Sequence, residues 1–139
     1  MDAINLLERQ HHDVDALFDQ LAGAESELDM RRVFFALADL LVIHSTIEER
    51  HFYPAVRARE TESVVKQSYD AHDELKQRIA DLLELDAYDD EFSARCDALE
   101  IAVQQHVTEE RATLFPRARE LLDEAQLDAL GQEMAATMA

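Results

Sequence analysis

The sequence predicts an all-α protein: an up-down-up-down four-helix bundle with a short C-terminal helix. Three observations carry this. Only two Gly and two Pro occur in 139 residues, and Ala, Leu, Glu, Asp, Arg and Gln dominate, a composition that suits helices better than sheets. Apolar residues recur at spacings of three and four along most of the chain, the period of an amphipathic helix. The breaks between periodic runs are short, which makes consecutive helices antiparallel neighbours. At 139 residues the chain has the length of one domain, residues 1–139, with one core.

The first helix, about 2–22, carries the stripe Ile4, Leu7, His11, Val14, Phe18, Leu21. "AGAESE" breaks it, with Gly23 as a stop and Ser26 as a cap for the second helix. That second helix, about 28–59, carries Val33, Leu37, Leu40, His44, Ile47 or Glu48, and His51. Pro54 lies in its last turns and calls for a kink or an early end. Thr61 is placed to cap the third helix, about 61–84, with the stripe Val65, Ser68, His72, Leu75, Ile79, Leu82. "LDAYDD" reads as a turn, with Asp89 or Asp90 capping the fourth helix, about 90–121. Its stripe is Phe92, Cys96, Leu99, Val103, His106, Glu110, with Pro116 near its end. A short amphipathic helix, 124–138, carries Leu127, Leu130 and Met134 and is interrupted by Gly131.

Charge and cysteine usage narrow the function. The formal net charge is −18, which makes nucleic acid and acidic membrane surfaces poor partners; its plainest meaning is a solvated surface. The single cysteine, Cys96, excludes an internal disulfide and a multi-Cys zinc site, reads as a small buried hydrophobe, and fits a reducing cytoplasm. No apolar run approaches the ~20 residues of a membrane span, and "MDAINLLERQ" lacks a signal-peptide pattern.

The chain also repeats itself. "HSTIEERHFYP" (44–54) and "HVTEERATLFP" (106–116) both place a Glu four residues and a Pro ten residues after a His. Each is preceded by another His, His11 and His72, 33 or 34 positions upstream. Each half is therefore a helical hairpin, and a pseudo-twofold would bring the two inner stripes together. Two copies of the repeat argue against an α-solenoid.

Polar residues sit on these apolar stripes. His11, His44, Glu48, His72, His106 and Glu110 all occupy stripe positions, where an unsatisfied imidazole or carboxylate is costly. His-x-x-x-Glu places both side chains on one helical face, ~6 Å apart along the axis. Four His and two Glu from four helices suffice for two metal ions, each taking two imidazoles, with both carboxylates placed to bridge. Such a donor set suits iron, manganese or zinc, and bundle cores are a home for dinuclear sites. Of the pair His11–His12, His11 has apolar residues at +3, +7 and +10, as His72 does, whereas His12 has Asp15 at +3; His12 reads as surface or as a supporting residue.

On these residues the chain resembles the hemerythrin-like, or HHE cation-binding, domain. The likeness runs through "HHDVDALFDQL", "HSTIEERHFYP", "AHDELKQRIADL", "HVTEERATLFP" and "LDALGQEM". The resemblance implies a four-helix bundle around two non-heme iron ions with an oxo or hydroxo bridge. It implies His11 and His44 on one iron, His72 and His106 on the other, and Glu48 and Glu110 bridging. The oxygen-carrying hemerythrins have a further His one turn before the position of His72; here that position is Ser68. Their last carboxylate is an Asp five residues after its His; here it is Glu110, four after His106. Tyr69, His51, Glu109 or water are the candidates to complete the second iron. His51 reads otherwise as a core His bonded to a neighbour, and Tyr69 as a packing residue.

The implied ligands are small: O2, NO or peroxide. The missing His argues against long-lived O2 carriage and leaves sensing of O2 or redox state, consumption of peroxide or NO, and holding of iron. Two other classes stand beside it: a metal store or buffer for iron, zinc or manganese without redox turnover, and a structural or partner-binding bundle whose His and Glu form a core network. No protein partner is identifiable from sequence.

Overall fold

The computed structural model describes residues 1–87 and 89–138. Tyr88, in the expected "LDAYDD" turn, and Ala139 lie outside the described residues. Seven α-helices are described: α1 (Ala3–Gly23), α2 (Glu27–Ile47), α3 (Tyr53–Val56), α4 (Glu62–Leu83), α5 (Asp90–Glu109), α6 (Phe115–Leu121) and α7 (Glu124–Met138). Two π-helical turns, Glu48–Phe52 and Glu110–Leu114, splice α2 to α3 and α5 to α6. The four rods α1, α2–α3, α4 and α5–α6 form the four-helix bundle, and α7 packs across α1 and the end of α2.

Local chemistry sets the ends. Asp2, Ser26 and Asp89 accept hydrogen bonds from the backbone N–H of Asn5 (2.8 Å), Asp29 (3.1 Å) and Glu91 (2.9 Å), satisfying donors that the first helical turn leaves open. Gly23 does not take a left-handed conformation; α1 ends because Ala24 is extended. Thr61 turns away from α4. Its hydroxyl donates to the Val56 carbonyl (2.7 Å) and accepts from the Ala58 N–H (2.8 Å), so it ties the α3–α4 turn instead of capping.

The π turns are the prolines' work. Pro54 and Pro116 carry no N–H, and each ring would press on the carbonyl four residues back. The chain answers with one extra residue in the preceding turn: Tyr53 N–H bonds Glu48 O, and Phe115 N–H bonds Glu110 O, five residues apart in each case. The extra residue rotates the following face. Beyond Glu48 the buried positions are Phe52, Tyr53 and Val56, and beyond Glu110 they are Leu114, Phe115 and Ala118. His51, seven after His44, is thereby moved off the inner stripe. Along α2 the buried stripe is Phe34, Leu37, Leu41 and His44; Val33 and Leu40 are only partly buried, because the bulkier Phe34 takes the inward position.

Apolar packing falls into two clusters. One, at the π-turn end, joins Leu7, Ile47, Phe52, Tyr53, Val65, Leu114 and Phe115 to Leu127, Leu130 and Met134 of α7. The other joins Val14, Phe18, Leu37, Leu75, Ile79, Leu99 and Val103. On every rod the residues between these clusters are the polar ones: His11, His44 with Glu48, His72, and His106 with Glu110. Gly131 does not interrupt α7. It is where the chain's start crosses that helix, and a Cβ there would collide with the Met1 carbonyl and stand 2.9 Å from the Asp2 carbonyl carbon.

Candidate metal centre

The four rods bring all six stripe residues into one buried cluster. Glu48, His72, His106 and Glu110 offer donor atoms within 4.8 Å of one another, and His11, His44 and Glu110 do the same. Glu110 belongs to both groups. Glu48 Oε1 also spans both, lying 3.0 Å from His44 Nε2 and 3.1 Å from His72 Nε2. Glu48 and Glu110 are 0% and 1% exposed, deeper than carboxylates go without partners.

Second partners aim the rings. Gln10 Oε1 lies 2.6 Å from His44 Nδ1, Glu8 Oε1 3.2 Å from His11 Nδ1, and Glu49 Oε2 3.0 Å from His72 Nδ1. All three are acceptors, so each Nδ1 carries the proton and each Nε2 faces the cluster with a free lone pair, the arrangement typical of metal-ligating histidines. Arg111 Nε in turn donates to both Glu8 oxygens, at 2.9 and 3.0 Å, and Lys76 Nζ to Glu49 at 3.3 Å. Arg111 and the nearby His11 outweigh burial and hold Glu8 below the usual carboxyl range.

Several of the cluster's donor atoms lack hydrogen bonds. His11 Nε2, His44 Nε2, Glu48 Oε2 and both oxygens of Glu110 are buried with no hydrogen-bond partner among the described residues. Glu110 Oε1 does lie 2.6 Å from His106 Nε2. That close contact helps hold a proton on His106. A buried polar atom left unpaired costs about 1–3 kcal/mol, while a fully buried apolar side chain contributes about 1.5–3 kcal/mol. Five such atoms offset several core residues. Nitrogen and carboxylate-oxygen lone pairs converging in this way fit a divalent cation, and iron, manganese and zinc all accept the donor set.

Protonation is strained in the same manner. Burial raises both carboxyls, yet Glu48 is held well below its ordinary range by His44, Glu110 and His106, and Glu110 is pushed well above it by burial and by Glu48. Two carboxylates in contact cannot both ionise without a counter-charge, so the pair keeps a proton. Burial and His44 push His11 down to about 4. Burial acts the same way on His106, but the adjacent Glu110 and Glu48 outweigh it and push it up to about 10.

The further candidates stand apart from the cluster. His12 and Glu109 are exposed. His51 is half-buried and its Nε2 pairs with Thr137 Oγ1 at 2.7 Å, on α7. The Tyr69 hydroxyl donates to the Glu49 carbonyl at 3.3 Å, and its ring packs edge-on against Tyr53. Sequence reasoning missed Tyr53 itself. Its hydroxyl lies 3.2 Å from His72 Nε2 and 3.5 Å from His106 Nε2, with Ser68 as a further hydrogen-bond partner; burial, Glu48 and Glu110 keep that hydroxyl protonated. The signal was present: Tyr-Pro in one repeat is Phe-Pro in the other. Gln10, Glu8 and Glu49 were missed as well, although each lies within three residues of a candidate ligand.

The roomier clefts lie elsewhere, for instance about 260 Å³ beside Phe18, Met30 and Cys96; the donor atoms are not there.

Comparison with known proteins agrees with this geometry. A crystal structure of a hemerythrin HHE cation-binding domain-containing protein from Mycobacterium kansasii superposes with a TM-score of 0.88, covering 99% of this chain and 85% of that one at 23% identity; that likeness is one of fold. A curated relative, a protein named DNA nickase from Nostoc sp., is 26% identical over 136 residues, 98% of this chain. The chain spans 39% of that relative's length. The profile of the hemerythrin HHE cation-binding domain matches residues 2–118, which contain all six clustered residues, and the chain belongs to that family.

Proposed function

We propose that this domain holds two iron ions in its buried His/Glu cluster and reacts with, or senses, O2, peroxide or NO. His11 and His44 would hold one ion, His72 and His106 the other, with Glu48 and Glu110 shared between them. The observation that carries this reading is the set of five buried donor atoms without hydrogen-bond partners. Iron would supply reversible electron transfer to a small oxidant. The chain's own residues do the rest. Gln10, Glu8 and Glu49 fix the ring tautomers, and the apolar clusters on both sides exclude water and strengthen every charge interaction within.

Tyr53 has a distinct part. It stands where Ser68 leaves room beside the second histidine pair, with a protonated hydroxyl that donates a hydrogen bond to whatever binds there. The activity named for the Nostoc relative is not carried over. The match covers a minority of that protein, and a net charge of −18 opposes DNA.

The test is metal content per chain together with the ultraviolet-visible spectrum of aerobically purified protein, before and after dithionite and again after O2. Two irons, with near-ultraviolet bands that bleach and return, are expected. Zinc or manganese with no such bands would instead make the domain a metal buffer. Full folding with no bound metal would make it a structural bundle.

A further inference from the structure

Resting on that reading of the site, we propose that the hydrogen bond between Asp15 and Gln104 is its entrance gate, one that admits small uncharged ligands and turns away anions. A narrow chamber lies against the four clustered histidines, walled by Val14, Leu41, Leu75, Val103 and Val107. Its free volume is about 10 Å³, room for one water-sized molecule. Asp15 is the acidic side chain in its lining. Gln104 Nε2 donates to Asp15 Oδ1 at 2.6 Å, tying α1 to α5 across 89 positions of sequence. Both residues are half-buried, Asp15 one turn beyond His11 and Gln104 two residues before His106. Gln104 also lines an open groove on the outer face of α5, beside Ile101 and Thr108. Asp15 lines the chamber and its partner Gln104 lines the groove, so the bonded pair links the two.

On the proposed reading this bond closes the chamber on the groove side, and the carboxylate gives it a sign. Glu100 lines the same groove as Gln104, and burial with the nearby charges of Asp19, Asp97 and Asp15 raises its carboxyl. Low-dielectric walls focus such a field. An anion entering meets repulsion at close range from Asp15, whereas O2, NO and hydrogen peroxide carry no charge to repel. The chamber's narrowness turns away bulky molecules of any charge.

Stopped-flow association of azide and of NO with metal-loaded protein separates the two roles. Asp15→Asn keeps the shape and the acceptor oxygen but removes the charge; azide association should speed up about fivefold and NO association should not change. High salt should shrink that gain, as screening requires. Gln104→Ala removes the bar itself and should speed both ligands. Metal content and circular dichroism are read on each variant. Unchanged azide and NO rates in both variants, with wild-type metal content, overturn the gate. Wild-type protein without metal overturns the cation-binding reading instead. The gate is then still read in metal-free protein, where paramagnetic dissolved O2 should broaden the Leu75 and Val103 methyl signals more in Gln104→Ala than in wild type. Equal broadening counts against it.

Discussion

The two halves of the repeat deliver equivalent residues to the centre and then surround them differently. On the His11–His44 side the ring of Phe115 stacks on His11, with centroids 6.0 Å apart and planes at 13°, and the neutral Gln10 holds His44. On the His72–His106 side the equivalent aromatic, Tyr53, brings a hydroxyl to both imidazoles, and the charged Glu49 holds His72. Helix α7 packs mainly on the first half: its end reaches Gln10 through Met138 Sδ (3.6 Å) and His51 through Thr137. The symmetry therefore belongs to the candidate ligands and the asymmetry to their neighbours. One side has an aromatic ring stacked on His11 and the end of α7 over it, and the other has a phenol hydroxyl against both imidazoles.

Removing a candidate ligand from each half breaks the comparison most severely. His44→Ala and His106→Ala should each lose at least one metal per chain, measured by elemental analysis of purified protein. Two metals retained in both variants would sink the assignment.

The halves should also differ with pH. His11, pushed down to about 4, is neutral at pH 7 and has no proton to give up. His106, pushed up to about 10, is charged there, and Glu110 is held protonated by burial and Glu48. A cation must displace those protons, so affinity on the His72–His106 side should rise with pH, by about tenfold per unit for each proton released. Calorimetry in buffers of different ionisation enthalpy counts the protons; zero release at pH 7 would contradict the account.

Smaller effects come from the neighbours. Gln10→Ala and Glu49→Ala each free one imidazole to turn, and each should weaken metal binding by about 10–100-fold in chelator competition. Tyr53→Phe makes the halves alike. It should leave metal content intact, yet lower the affinity of the reduced protein for NO by roughly the worth of one hydrogen bond, about 0.5–1.5 kcal/mol. An unchanged affinity would mean the hydroxyl serves packing alone.

Much of this was legible from spacing alone, for a physical reason. A 3.6-residue period fixes which side chains face inward, so His11, His72 and His106 could be placed on the inner face beside Leu7, Leu75 and Val103 before any coordinates. The arithmetic fails where the period changes. Pro54 announces a disturbance, but not that one residue will be inserted before it, and that insertion moves His51 outward and Tyr53 inward. Tyr53 thus falls beside Ser68, a contact that no single-helix pattern encodes. Gln10 and Glu49 escaped notice because a residue holding the outer face of a ring needs no periodic position, only proximity. Gly131 was misread for a related reason: its role concerns the approach of Met1 and Asp2, far away in sequence.

That glycine gives the mildest test of the asymmetry. A methyl group at Gly131→Ala must push the Met1–Asp2 backbone off α7, an overpacking cost of about 1–3 kcal/mol partly offset by the better helix propensity of Ala, up to about 1 kcal/mol. Helix α7 packs mainly on α1, α2 and the first π turn, so any loosening should reach Gln10 and His44 more than the His72–His106 side. Chemical denaturation should show a modest loss of stability with two metals still bound, and chelator extraction should become faster for one metal of the two. Extraction that quickens equally for both would mean that α7 supports the whole bundle and that its placement over one half has no bearing on the centre.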